Sequence, residues 1–276
     1  MILLRTVRII VAQSLLTLWT TPKAFSEGIV VNPRISVESK TSHPSPITII
    51  SGGTLEVDSA QSISDVVANS TGGYSTSVTP AIGRPVLRGQ GGERIRIERN
   101  GAQVQDVSAL SEDHAVATSP LDAESVEILR GPEALAHGSN AIGGLVNIVD
   151  DSISESLQGI SLSGKSVLRF DSATKEKTAA TQLRVENNRD VFFGSAFNID
   201  TDDYTIPGFG KSKYKLLSEQ ASIDKASDKK LFNSASLTSG ATVGYSHVYS
   251  SGFIGASINT YNSLYGVPGE GGVDGE

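Results

Sequence analysis

Residues 126–148 read Val-Glu-Ile-Leu-Arg-Gly-Pro-Glu-Ala-Leu-Ala-His-Gly-Ser-Asn-Ala-Ile-Gly-Gly-Leu-Val-Asn-Ile. Two short apolar runs, 126–129 and 145–149, suit strands. Between them Pro132 suits a first helical position and Gly138 a stop, which predicts one helical turn enclosed by two strands. Gly131, Gly138, Gly143 and Gly144 are expected to permit tight backbone turns rather than to touch a ligand.

Working outward toward the N-terminus, Ser119-Pro120 predicts a short helix over 121–125. Before it lies a loop, 108–118. Asn100-Gly101 predicts a hairpin between strands 94–99 and 102–107, because that dipeptide supplies the two positive-φ residues a tight turn needs. Arg84-Pro-Val-Leu-Arg88-Gly89 leads into it, and Ser62-Ile-Ser-Asp65 resembles a capping box, with Asp in the usual Glu or Gln place, opening a helix through Ala68.

The 23-residue stretch is similar to the signature of the plug domain of TonB-dependent outer-membrane receptors. Arg130-Gly131-Pro132, Gly138-Ser139 and Ala141-Ile142-Gly143-Gly144 carry the resemblance, and Arg88-Gly89 and the hairpin extend it over roughly residues 50–150. It implies an α+β plug domain followed by antiparallel transmembrane β-barrel strands. It also makes Glu127 and Arg130 candidate partners in a salt-bridge lock between plug and barrel wall, with strand-face solvation as the plain alternative.

The N-terminal 26 residues read as a secretory signal peptide. Arg5 and Arg8 form a positive region, 9–19 an apolar one, and Ala24-Phe25-Ser26 a small-x-small cleavage site. A membrane anchor fits less well, since a spanning helix needs roughly 20 apolar residues. Removing 1–26 takes away Arg5, Arg8 and Lys23 and no acid, so 23 basic against 30 acidic residues become 20 against 30, a net charge of −10. An acidic chain is a poor nucleic-acid binder and a reasonable cation collector. With no Cys there is neither a disulfide nor a thiolate metal site.

Residues 27–46 carry Pro33, Pro44 and Pro46 without useful periodicity and read as a flexible extension. In the resembled family a short extended segment here, the TonB box, pairs with the energy-transducing partner by strand addition. Ile29-Val30-Val31 is the favoured candidate over Ile47-Thr-Ile-Ile50, though either run is equally an ordinary edge strand. Residues 47–156 form the expected plug.

Beyond 156 the pattern alternates with period two. Ile160, Leu162, Leu168 and Phe170 share one side of a strand against Ser161, Ser163, Lys165, Arg169 and Asp171. Val191, Phe193, Phe197 and Ile199 oppose Gly194, Asn198 and Asp200. A transmembrane barrel predicts the apolar set toward lipid and the polar set toward the lumen; the half-buried sheet of a soluble sandwich alternates in the same way. Further strands are predicted at 178–186, 240–249 and 252–261, with 211–230 a long solvated loop. The barrel expected of such transporters has 22 strands, about 220 residues before loops. Only 120 residues follow residue 156, so residues 157–276 are expected to be the first strands of an incomplete barrel, in a truncated product or a fragment.

No nucleophilic triad, His-Glu-x-x-His pair or phosphate-binding glycine pattern is present, and the chain is not expected to be an enzyme. The sharpest ligand candidate is Asp113-His114, since adjacent carboxylate and imidazole groups on a loop can both face one cation. Two ligands are too few, and an exposed Asp-His pair is more often solvated than metallated. Its context, with Arg94-Ile-Arg-Ile, Asp203-Tyr-Thr-Ile-Pro207-Gly208 and Tyr265-Gly-Val-Pro268-Gly269, most resembles the zinc-uptake subgroup, whose apical plug loop contributes such a pair to the metal site. That subgroup carries a His-rich loop next; this chain has Glu270-Gly-Gly-Val-Asp274-Gly-Glu276, carboxylates that suit harder cations. His137 stands where the family usually has an aromatic and is expected to pack or to meet the helix end; His247, Tyr245 and Tyr249 share a strand face and suit a membrane-interface girdle.

The expected function is therefore uptake of a scarce metal ion or metal complex, zinc favoured. The alternatives are a siderophore or haem receptor, and a non-transporting remnant or periplasmic plug module. The resemblance implies the outer membrane of a Gram-negative bacterium, with the plug in the barrel lumen and the N-terminal segment in the periplasm. The implied partners are the TonB-ExbB-ExbD complex and outer-membrane lipid, with no nucleic acid. No cofactor is required, and Zn2+ enters only as the transported ligand.

Overall fold

The punctuation in 126–148 produces two strands and the turn between them. A computed structural model of the chain describes residues 47–52, 55, 62–105, 107–111, 113–210, 214, 218 and 228–268, all in one compact unit, Asn32–Glu276. The signal-peptide reading, the TonB-box candidate Ile29, Val30, Val31, the carboxylates Glu270, Asp274 and Glu276, and most of the 211–230 loop lie outside the described residues.

The first part of the chain builds strands β1 (Ile47–Ser51), β2 (Gly73–Ser75), β3 (Pro85–Leu87), β4 (Ile95–Arg99), β5 (Ala102–Gln103), β6 (Ser125–Leu129) and β7 (Gly144–Val149), with helix α1 (Ile63–Ala68). Five of them form a sheet in the order β1-β6-β7-β4-β5, in which only β4 and β7 are parallel. Alternation puts Ile95, Ile97, Val126, Ile128, Val146 and Ile148 on the face covered by Ile63, Val66 and Val67 of α1 and by Leu87. The opposite face carries Leu129 and Leu145 against Ala134 and Ala141. The central strand β7 is buried along its whole length, as its near-continuous apolar sequence requires. Each such side chain contributes about 1.5–3 kcal/mol.

The predicted turn of helix is a 3-10 helix, Pro132–His137, with Pro132 at its start and Gly138 at its end. Gly144 enters β7 at φ +144°, where a Cβ would lie 2.7 Å from Leu87 Cδ1 and 2.9 Å from the Leu129 carbonyl oxygen. The glycine here answers a close backbone approach. Asn100 and Gly101 both have positive φ and turn β4 into β5 as expected, although β5 is two residues long. Ser62 precedes α1 without a side-chain cap; its hydroxyl donates to Asp65 Oδ2 at 2.7 Å instead of accepting from the helix backbone.

The helix predicted over 121–125 does not form. Ser119 Oγ accepts from the Leu121 N–H at 3.2 Å and Ala123 N–H donates to the Pro120 carbonyl at 3.2 Å, a single turn. The Glu124 N–H then donates to the Val149 carbonyl at 2.7 Å, and sheet pairing with β7 takes over.

After residue 160 come β8 (Leu162–Asp171), β9 (Glu176–Asn187), β10 (Asp190–Thr201), β13 (Ser236–Tyr249) and β14 (Gly252–Tyr265), a wholly antiparallel sheet in the order β14-β13-β10-β9-β8. Between β10 and β13 the short pair β11 (Tyr204–Phe209) and β12 (Asp228–Leu231) projects as a separate ribbon. The sheet does not close, since β8 and β14 are its edges. Its outward face exposes Leu168, Phe170, Leu183, Phe192, Val243, Ile258 and Leu264, whereas its inward face buries Glu176, Thr178, Arg184, Ser195, Thr238, Thr242 and Ser246. Apolar outside and polar inside inverts the soluble arrangement and is the pattern of a barrel wall.

One strand departs from the prediction. Val191, Phe193, Phe197 and Ile199 were expected toward lipid; they face inward and are buried, while Phe192 is outward and half exposed. Leu121 of the plug, with Ala180, seats Phe197 and Ile199 in an apolar cluster. Alternation says which residues share a face, not which face meets lipid.

Candidate functional site

The loop between β5 and β6 is pinned at its base and open at its tip. Buried Arg84 donates from Nη1 to Ser108 Oγ at 2.8 Å and from Nη2 to the Gly92 carbonyl at 3.1 Å. Val116 sinks into the main core, and Thr118 Oγ1 accepts from Arg99 Nη1 at 3.3 Å. Between these anchors Leu110 is 77% exposed, and Asp113 and His114 are accessible.

The expected pair does come together. His114 Nε2 lies 4.0 Å from Asp113 Oδ1, and the Ser111 hydroxyl bonds the same carboxylate. That hydroxyl, helped by the adjacent imidazole and a backbone N–H, holds the Asp113 carboxyl below its ordinary value despite some desolvation. The carboxylate is thus ionised and able to meet a cation. Among the described residues no third His, Cys, Asp or Glu joins them.

What faces the pair instead is Tyr265, the last residue of β14. Its hydroxyl oxygen lies 3.2 Å from His114 Nδ1 and accepts from the Ala115 N–H at 3.4 Å. The sequence contained this tyrosine only as part of the Tyr265-Gly-Val-Pro268 motif; nothing local to it names a partner 151 positions away. The same region joins two further motifs. Asp203 Oδ1 accepts from the Ser234 and Ala235 N–H groups at 3.0 and 3.2 Å, Gly266 N–H donates to the Ala235 carbonyl at 3.0 Å, and Asn233 Nδ2 donates to the Val267 carbonyl at 2.8 Å. The Asp203 and Tyr265 motifs therefore support one corner beside the Asp113-His114 loop.

The remaining candidates take structural places. Arg88 and Gly89 form the positive-φ corner of a turn from Leu87 to Gln90. Arg130 and Glu127 both make hydrogen bonds within the plug. Buried Arg130 donates to Thr48 Oγ1 at 2.7 Å and Ser70 Oγ at 2.9 Å, and Glu127 Oε2 accepts from Asn147 Nδ2 at 3.0 Å. Burial, followed by the nearby Arg88 charge, makes the Arg130 guanidinium less basic than usual. His137, expected to pack or to meet the helix end, instead has Nδ1 3.2 Å from Glu98 Oε2, a buried carboxylate of β4 that also accepts from Arg96 Nε. His247, Tyr245 and Tyr249 share the outward face of β13, where Asp190 Oδ1 accepts from Tyr245 at 2.7 Å and lies 2.8 Å from His247 Nδ1.

Polar contacts between plug and strands are made by further residues that the sequence did not single out. Arg99 Nη2 sits 2.5 Å from Asp122 Oδ2 and 2.6 Å from Asp150 Oδ2. Thr242 Oγ1 of β13 donates to Asp122 Oδ2 at 3.3 Å, and Asn100 Nδ2 donates to Asp150 Oδ1 at 2.7 Å. Along the segment leaving the plug, Arg184 of β9 pairs with Asp151 at 2.7 Å, and the Ser154 N–H donates to Ser246 Oγ at 2.8 Å. Arg99 next to a turn and Asp150 just after an apolar strand were visible as unexplained charges, and that was the only signal.

Residues 39–145 match the family described as TonB-dependent Receptor Plug Domain. Among solved structures the chain is similar to a mutant ferric enterobactin receptor, PfeA, of Pseudomonas aeruginosa in complex with enterobactin (14% identity, TM-score 0.55, 81% of this chain and 34% of that one). It is similar to the siderophore receptor PirA of Acinetobacter baumannii (16%, TM-score 0.53, 85% and 41%). It is also similar to the copper transporter OprC (15%, TM-score 0.60, 79% and 30%). The chain thus spans between 30% and 41% of the length of these structures, and at such identities the likeness is one of fold. Residues 39–145 are thus similar to a TonB-dependent receptor plug domain, and an antiparallel sheet with a largely polar inner face, not closed into a barrel, follows it.

Proposed function

We propose that the protein is an outer-membrane receptor that takes up a scarce metal ion, zinc favoured, with energy delivered by the TonB-ExbB-ExbD complex through the N-terminal segment, for which Ile29-Val30-Val31 is the candidate contact. The observation that carries this reading is the accessible Asp113-His114 pair, held at 4.0 Å on a loop whose base is pinned to the plug. Ionised carboxylate and neutral imidazole are both zinc ligands at about 2.0–2.2 Å. Further ligands come from outside the pair. Glu270, Asp274 and Glu276 follow Tyr265 closely in sequence, and five residues of chain reach at most about 17 Å. Ligand capture above the plug and remodelling of the plug from below then open a path along the polar inner wall. Lipid meets the apolar outer face.

A second reading, uptake of an iron chelate or haem, draws on exposed Leu110 beside the same pair, apolar surface for which a bare ion has no use. Zinc titration of the purified full-length receptor by calorimetry separates the two. The zinc reading expects binding that Asp113→Ala with His114→Ala abolishes; unchanged zinc affinity in that double variant removes the site.

A further inference from the structure

We propose that Tyr265 is the positioning residue of the ligand site, holding the His114 imidazole so that Nε2 faces the ligand beside Asp113, and thereby linking ligand capture to docking of the plug loop on β14. The proposal rests on the metal reading of Asp113 and His114 given above.

A phenolic oxygen has two lone pairs and one proton. The Ala115 N–H already donates to it at 3.4 Å, and His114 Nδ1 lies at 3.2 Å. When Nδ1 carries the proton and donates to the second lone pair, both contacts are satisfied at one oxygen, and the neutral ring is left with its lone pair on Nε2. Nε2 is the nitrogen that faces Asp113 Oδ1, at 4.0 Å. A cation about 2.1 Å from each, at a tetrahedral angle, needs its two donors about 3.4 Å apart. The pair is therefore within about 0.6 Å of closing on an ion, a movement an exposed loop side chain makes by rotation alone.

The mount belongs to the sheet. Tyr265 pairs with Ser236 across the sheet, and the next residue, Gly266, is bonded through its N–H to Ala235. A ligating histidine oriented by a hydrogen bond from its other nitrogen is a general device of metal sites, and its loss typically costs 10–100-fold in affinity. Here that bond also crosses from plug loop to barrel strand. A cation on Nε2 makes the Nδ1–H a stronger donor and so tightens the loop on β14; by reciprocity, a docked loop binds the cation more tightly.

The test uses the full-length receptor in detergent, zinc alone as probe, and Tyr265→Phe, which removes one oxygen and keeps the ring. Calorimetry is expected to give zinc affinity lower by about 10–100-fold. Hydrogen exchange at the Ala115 amide is expected to slow on zinc addition in the parent and to be insensitive to saturating zinc in Tyr265→Phe. The cobalt(II)-loaded spectrum is expected to change its ligand-field bands in Tyr265→Phe and to lose imidazole character in His114→Ala. If His114→Ala loses zinc while Tyr265→Phe binds like the parent and keeps zinc-dependent protection, the positioning role is overturned and the metal reading stands. If His114→Ala binds zinc like the parent, both are overturned.

Discussion

Replacing Arg99 by Met removes the cation that bridges Asp122 and Asp150, whose side chains are only 2% and 1% exposed, and leaves both carboxylates buried. Arg99 contributes bonds of 2.5 and 3.2 Å to Asp122 and 2.7 Å to Asp150, whereas the bonds from Asn100 and Thr242 come from neutral donors. Breaking a buried pair by removing one partner costs about 3–5 kcal/mol, because an uncompensated charge stays in low dielectric. The loss falls on the turn from β4 to β5, where the Asn100 N–H donates to the Ile148 carbonyl of β7 at 2.8 Å. At tenfold per 1.4 kcal/mol, exchange of that amide through opening of the plug should speed up by about two to three and a half orders of magnitude. Arg99→Lys keeps the charge and loses the fork, and is expected to cost about 1–2 kcal/mol. The assay is hydrogen exchange read by mass spectrometry on the full-length receptor in detergent, with β9 and β10 peptides as internal reference. An Arg99→Met variant whose Asn100 amide exchanges within tenfold of the parent would refute the reasoning, since the cluster would then behave as a solvated surface pair.

Three further outcomes are expected. Burial alone would raise the Asp150 carboxyl, but Arg99 and the bonds from Ser152 and Asn100 outweigh it and hold the group below its ordinary value. A depressed folded value gives stability that is fully present above the unfolded value near 3.9 and is lost as pH falls through the folded one, so plug melting followed by calorimetry should be flat from neutral to about pH 5 and decline below about pH 4. A melting point that rises on acidification would contradict this. Gly144→Ala meets Leu87 Cδ1 and the Leu129 carbonyl oxygen at positive φ and should destabilise the plug by at least about 1–3 kcal/mol in urea titration; a neutral result would mean the backbone relaxes. Val243→Arg places a charge on the outward face of β13, where Val243 is exposed, and should cost about 2–4 kcal/mol in lipid-vesicle folding if that face meets hydrocarbon near mid-depth. No cost would argue for an aqueous face.

Local chemistry made much of the plug legible. Pro132, Gly138 and Asn100-Gly101 act over three or four residues, and the turns they predict are present. The helix over 121–125 failed because its cap and proline were outbid by a sheet bond to Val149, a residue 25 positions on from Glu124. The barrel strands were legible as strands, but the Val191, Phe193, Phe197 and Ile199 set was turned to the wrong side, since Leu121 supplies an apolar seat that alternation within β10 cannot reveal. At the candidate site the Asp113-His114 pair needed only adjacency. Tyr265 needed the fold.

By itself the sequence determined most of the strands and turns of this protein and the residues that share each face, because glycine, proline and side-chain alternation act through dihedral angles and neighbours a few positions away. Tertiary structure alone decided which face points to the plug, that Asp122, held by Arg99, meets Thr242 of β13, and that His114 meets the hydroxyl of Tyr265. Those outcomes depend on groups about 20 to 150 positions apart, brought together only when both sheets are in place, and no local propensity encodes such a distance.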